Sequence, residues 1–126
     1  MITGQGVDIV NIQRISQAIE RGGHAFLQRI YTDKEIAEAQ TKNQSQIIYF
    51  AGRWAAKEAL SKALGCGIGK NCSFKDIEVL SLSTGAPYIT LSGNAQNSFN
   101  QIGGKNIFVS LSHEHDYAVA IVTLEK

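Results

Sequence analysis

The sequence predicts an α+β fold with a mainly antiparallel sheet packed with helices. Three observations carry that expectation: an apolar N-terminal run that alternates like a strand, a long alanine-rich helical segment in the middle, and two strand-like runs around a polar turn near the end. Residues 2–10 alternate, with Val7 and Ile9 on one face and Gly6, Asp8 and Val10 on the other. Asn11 is placed to cap a helix in which Ile12, Ile15 and Ile19 recur at helical spacing up to a stop at Gly22-Gly23. Residues 25–31 form a short amphipathic helix. Thr32-Asp33-Lys34-Glu35 has the form of a capping box, which starts a further helix carrying Ile36, Ala37 and Ala39. The polar stretch 41–46 reads as a loop. The longest helix runs from about residue 46 to residue 64. Its apolar stripe is Ile47, Phe50, Ala51, Trp54, Leu60 and Leu64, and alanines at 55, 56, 59 and 63 admit a close neighbour. Gly65-Cys66-Gly67-Ile68-Gly69 closes it. Strands at 77–83 and 87–91 are joined at Thr84-Gly85-Ala86, and Ser92 starts a helix over 93–102. A hairpin of 106–112 and 117–124 turns at His113-Glu114-His115-Asp116.

Composition bounds the function. The chain has 126 residues, 44% hydrophobic and 18% charged, which predicts one globular domain over 1–126. A formal net charge of +1 supplies no global field for nucleic acid, so an acidic partner has to be met by a local patch. No apolar run has the length of a membrane span, and no basic segment followed by an apolar core opens the chain. Cys66 and Cys72 share one glycine-rich loop without metal-type spacing. A reducing cytoplasm is the expected compartment.

The candidate chemistry lies in a few charged residues set in apolar surroundings. Asp8 interrupts a strand, where aspartate is depleted; its carboxylate either binds a metal or pairs with Arg or Lys. Glu58 and Lys62 stand one turn apart on the long helix, as a solvated ion pair or as part of a site. Two carboxylates with a lysine beside one of them point to a divalent cation held with a phosphate. Arg53 and Lys57 add like charges on the same helix, a cluster that fits an anion better than a neutral surface. His113 and His115 share a strand-like face; a turn with one histidine at a ligand is preferred to a transition-metal site, for which no third ligand is evident. His24 reads as a solvated loop residue. No nucleophile elbow, no phosphate-binding P-loop and no dinucleotide fingerprint is present.

Taken together, Gly6-Val7-Asp8-Ile9-Val10, the segment from Phe50 to Gly65, Gly85-Ala86-Pro87-Tyr88 and Ser110-Leu111-Ser112-His113 resemble the bacterial holo-acyl-carrier-protein synthases, the small 4′-phosphopantetheinyl transferases, from end to end. The resemblance implies transfer of the phosphopantetheine arm of coenzyme A to a serine of apo-acyl carrier protein, in fatty acid biosynthesis. It implies Asp8 and Glu58 as Mg²⁺ ligands, with Asp8, Glu58 and Lys62 as the catalytic group and Lys62 on the diphosphate. Arg53 and His113 match positions at the nucleotide end of coenzyme A, and the Gly65 loop and the hairpin at Pro87 would line the same cleft. A homotrimer with active sites between subunits is implied, as is a basic first helix for the acidic carrier protein. Arg14, Arg21 and Arg29 are the candidates for that helix. Two departures stand out. Only Lys42 is charged in Lys42-Asn43-Gln44-Ser45-Gln46, where some relatives carry adjacent basic residues for the 3′-phosphate, and Glu114 follows His113 where relatives often have a small hydroxyl residue. The competing readings are a coenzyme A- or carrier-binding trimer without turnover, and a transition-metal hydrolase built on His113 and His115.

Overall fold

The computed structural model describes residues 1–126. Nine elements follow in order: β1 (Ile2–Asn11), α1 (Ile12–Ile30), α2 (Asp33–Gln40), α3 (Gln46–Leu64), β2 (Ile77–Ser81), β3 (Pro87–Leu91), α4 (Gly93–Gln101), β4 (Asn106–His113) and β5 (Tyr117–Glu125). The strands form an antiparallel sheet of order β1-β5-β4 and a separate antiparallel hairpin, β2-β3. The α+β expectation therefore holds.

Strand alternation sorts the sheet into two faces. Register pairs Asp8 with Ala120, and Val7 with Ile121 and through it with Ser110. Gly4, Gly6, Asp8 and Val10 thus share the inner face with Ala118, Ala120, Val122 and Leu124, all four of which are buried. That face packs on α3, whose Ala55, Ala56, Ala59 and Leu60 are wholly buried. The small residues on both sides are what let strand and helix touch. A Cβ built on Gly6 would collide with the carbonyl oxygen of Ala59 and lie 2.7 Å from the Ala63 nitrogen; one built on Gly4 would collide with the carbonyl of Ala63. Glycine here serves close backbone approach, because neither residue has positive φ. The opposite face of the sheet is apolar and bare: Val7 is 56% exposed, Ile9 65% and Phe108 55%, with Tyr117 and Ile121 beside them.

The break read at Gly22-Gly23 is present: Gly23 leaves helical geometry at φ 56° and ψ −144°, and a second helical stretch then runs to Ile30, so α1 is two helices joined across a kink. Two boundaries differ from the expectation. The segment at 41–46 includes one 3₁₀ turn, Asn43–Ser45. Strand β2 ends at Ser81, because the chain closes a turn there with Leu82 N donating to Ala86 O at 2.8 Å around Gly85, φ 92°. The capping box forms as read: Thr32 Oγ1 accepts from Glu35 N at 3.2 Å, and Glu35 Oε1 accepts from Thr32 N at 2.8 Å. Within the helical stripe, Phe50, Ala51 and Leu60 are buried, while Ile47, Trp54 and Leu64 are partly buried against the core.

Gly6→Ala is expected to cost roughly 2–3 kcal/mol in chemical denaturation, since the strand has to lift off the helix backbone. Gly69→Ala, where a Cβ meets nothing within 4 Å, should stay within about 0.5 kcal/mol of the parent.

Candidate active site

The strand–helix contact delivers the first cluster. Asp8 follows Gly4 and Gly6 on the inner face of β1 and so reaches the next turn of α3. Lys62 Nζ donates to Asp8 Oδ1 at 3.1 Å and to the Val7 carbonyl at 3.2 Å. The lysine side chain is 52% exposed and the aspartate only 14%, so the ammonium keeps a free side toward solvent. Lys62 therefore pairs across the strand–helix seam, not with Glu58 along its own helix. Burial pushes the Glu58 carboxyl above the usual carboxylate range, the nearby Asp8 charge pushes it further, and Lys62 only partly offsets them. Glu58 is thus a carboxylate close to a second carboxylate without a cation of its own. Gly65 sits at the end of the same helix in a left-handed cap, φ 84°, with its amide donating to the carbonyls of Lys62 and Ser61.

A second cluster lies around a cleft of about 300 Å³ between α3, the β2-β3 turn and the end of β4. Lys42, Tyr49, Arg53, Gly85, Pro87 and His113 are among its lining residues. The cleft joins Arg53, Pro87 and His113 with Lys42, the single charged residue that the sequence offers in the 42–46 stretch. The Arg53 guanidinium carbon stands 4.0 Å from the centre of the Tyr49 ring, and Lys42 Nζ stands 5.9 Å from it. Lys42, Arg53 and His113 thus bring three basic side chains to one cavity beside the Tyr49 ring. Arg53 and Glu58 are five positions apart, which is about 140° around a helix, so the two clusters face different ways.

The charged pair Arg53 and Lys57 turns out not to be an open anion patch. Lys57 is wholly buried and donates to Glu35 Oε1 at 2.7 Å, the Ile30 carbonyl at 2.8 Å and the Phe74 carbonyl at 3.0 Å. Glu35 Oε2 also accepts from Val79 N. Burial pulls the lysine's pKa down and the Glu35 charge opposes it. The pair ties the end of α1, the start of α2 and the β2 hairpin to α3. Removing one partner would leave the other buried and uncompensated. Arg53 is likewise paired, at 3.1 Å, with Glu38. Glu35 is visible in sequence only as a cap, and Glu38, Tyr49 and Ser81 carry no local signal at all.

On α1, Arg14, Gln17 and Arg21 border a groove of about 250 Å³ floored by Ile15, Phe26 and Trp54. Arg29 stands in the last turn of that helix and is not part of the groove. His113, Glu114 and His115 line a neighbouring surface hollow with Ile48, but no group of three or more His, Cys, Asp or Glu is placed to hold a metal anywhere in the chain. No helix is long and apolar enough to cross a membrane.

Residues 4–122 match the family model described as the 4′-phosphopantetheinyl transferase superfamily. The holo-[acyl-carrier-protein] synthase of Shewanella amazonensis is 45% identical over 123 residues, covering 98% of each chain. This chain belongs to the holo-[acyl-carrier-protein] synthases. Among solved structures, the synthase of Neisseria meningitidis superposes with a TM-score of 0.90 at 35% identity over the full length of both chains. The Helicobacter pylori synthase in complex with coenzyme A gives 0.83 at 38% identity, covering 96% of this chain and 99% of that one.

Because the Glu58 carboxyl holds its proton more tightly folded than unfolded, its contribution to stability falls as pH rises through the window between its ordinary and its raised value. In buffer free of divalent cations, the stability of the native chain relative to Glu58→Gln should therefore decline as pH rises through the carboxylate range. Thermal denaturation of both proteins across that range measures it.

Proposed function

We propose that this chain transfers the 4′-phosphopantetheine arm of coenzyme A to a serine of an acidic apo-acyl carrier protein, releasing adenosine 3′,5′-bisphosphate, with Mg²⁺ held by Asp8 and Glu58. The observation that carries the proposal is the convergence of those two carboxylates with Lys62 at the strand–helix seam. The donor set fits Mg²⁺, which takes one or two carboxylates and completes its shell with water and substrate phosphate oxygens. Glu58, pressed by Asp8 and short of a counter-charge, is the group that gains most from a cation. When bound, the ion would offset the negative charge of the diphosphate and polarise it toward attack.

The protein's own residues do the rest. The serine oxygen attacks the β-phosphorus of coenzyme A, and the bond to the bridging oxygen breaks, so the bisphosphate leaves with the electron pair. Such a transfer asks mostly for positioning and charge neutralisation. Lys62, anchored by Asp8 Oδ1 and the Val7 carbonyl, holds its free side toward the diphosphate and the departing oxygen. Glu58 or a water beside it takes the serine proton. The cleft of Lys42, Arg53, Pro87 and His113 receives the nucleotide end, with Lys42 the free cation for the 3′-phosphate. Gly65 caps the helix beside Lys62 and leaves space for the arm of the substrate.

Because the two clusters face different directions on one chain, a complete site needs two copies. The bare sheet face of Val7, Ile9, Phe108, Tyr117 and Ile121 supports a homotrimer closed through it. His113 lies at its rim, in a hollow shared with Ile9, Tyr117 and Val119. Arg14 and Arg21, flanking an apolar groove, suit an acidic amphipathic helix of the carrier protein, with Arg29 extending the basic field. A reducing cytoplasm, where coenzyme A and carrier proteins meet, is the compartment this activity calls for.

Incubation with apo-acyl carrier protein, coenzyme A and Mg²⁺ should yield a carrier protein heavier by one phosphopantetheine group in mass spectrometry. Glu58→Gln should slow transfer by roughly a hundredfold or more, whereas His115→Ala should keep it, the reverse of what the hydrolase reading requires. Ile9→Glu should convert the trimer to monomers in analytical ultracentrifugation and abolish transfer with it.

A further inference from the structure

Arg53 is the one basic residue of the nucleotide cleft whose charge is already compensated. Its Nη2 donates to Glu38 Oε1 at 3.1 Å and to Ser81 Oγ at 2.8 Å, and its Nε donates to the Val79 carbonyl at 3.1 Å. Glu38 Oε1 also accepts from Tyr49 Oη at 2.9 Å and Ser81 Oγ at 3.0 Å, and its Oε2 accepts from Ser81 N at 3.2 Å. The Arg53 side chain is only 9% exposed. Glu38 itself is 21% exposed at its side chain and lies outside the cleft lining. It reaches the cavity only through Arg53 and Tyr49.

Resting on the reading of this cleft as the nucleotide site, we propose that Glu38 is an internal counter-ion that acts through Arg53 and limits how tightly the cleft grips the anionic nucleotide. The guanidinium does not need Glu38 to stay in place, because Val79 O, Ser81 Oγ and the Tyr49 ring hold it on three sides. What Glu38 adds is a negative charge one residue behind the phosphate-binding surface. Burial pushes the Glu38 carboxyl up, but the bonds from Ser81 and Tyr49 and the Arg53 charge together outweigh it, so the group is ionised at neutral pH. That charge weakens the field which an incoming phosphate meets. A cleft in which Arg53 were uncompensated beside Lys42 would hold the bisphosphate product and slow its release; the counter-ion leaves Lys42 and His113 to make the reversible contacts.

The test is calorimetric titration of the intact protein with adenosine 3′,5′-bisphosphate. Glu38→Gln removes the charge and keeps one acceptor oxygen for Arg53 Nη2, Tyr49 Oη and Ser81 Oγ, at the cost of the acceptor for Ser81 N. Its Kd should fall roughly three- to tenfold, and the dependence of log Kd on log salt should steepen. A side chain needed only for structure would give the opposite sign, weaker binding and a lower Tm. Glu38→Ala should also tighten binding, which keeps the test available if the glutamine variant folds poorly. Ser81→Ala, which removes hydrogen bonds but no charge, should not tighten it. Unchanged or weaker binding in both Glu38 variants overturns the counter-ion assignment and leaves the cleft assignment standing. Failure of the unaltered protein to bind the nucleotide at all overturns both.

Discussion

The rest of the structure depends on the contact between the backbone of β1 and the backbone of α3. Gly4 and Gly6 on the strand meet the carbonyls of Ala63 and Ala59 with no room for a methyl group between them. The contact buries a row of alanines and brings a strand residue within reach of helix residues more than fifty positions away, as in the Asp8–Lys62 pair. Larger residues would have held the two elements at the ordinary spacing of a sheet and a helix, and the Asp8 carboxylate would have fallen short. The same packing that stabilises the core therefore builds the site, and a carboxylate pair that is unfavourable without a cation is held in place by it.

Helix α3 distributes its charges by face. Lys57 and Arg53 are spent on Glu35 and Glu38, and they fasten α2 and the β2 hairpin around the helix. Glu58 and Lys62 look toward β1 and remain available to a ligand. The distinction is one of partner geometry, because all four residues are charged and all lie within three turns of one helix. It also separates the cleft around Arg53 from the carboxylate pair. The exposed apolar face of the sheet offers a means for two copies to bring them together.

Much of this was legible in the sequence because the signals were local. The capping box at Thr32, the helical spacing of Phe50, Ala51 and Leu60, and the paired strand runs near the end each depend on residues a few positions apart. Asp8 and Glu58 stood out because charge in apolar sequence demands an explanation. The buried pairs were not legible. Glu35 and Lys57 are 22 positions apart, Glu38 and Arg53 15, and nothing in either helix marks which lysine or arginine will be covered. Gly22-Gly23, by contrast, was a local signal, and the helix breaks there at Gly23, φ 56°. The roles of Gly4 and Gly6 emerge only when the helix opposite them is in view.

The central claim is that Asp8 and Glu58 grip one hard cation together with the diphosphate. Crystals grown with coenzyme A and Mn²⁺ in place of Mg²⁺ test it through the anomalous signal of the metal. The account predicts a peak at roughly 2.0–2.3 Å from an oxygen of each carboxylate and of the diphosphate. A peak at His113 and His115 instead, or one that touches neither Asp8 nor Glu58, would contradict it.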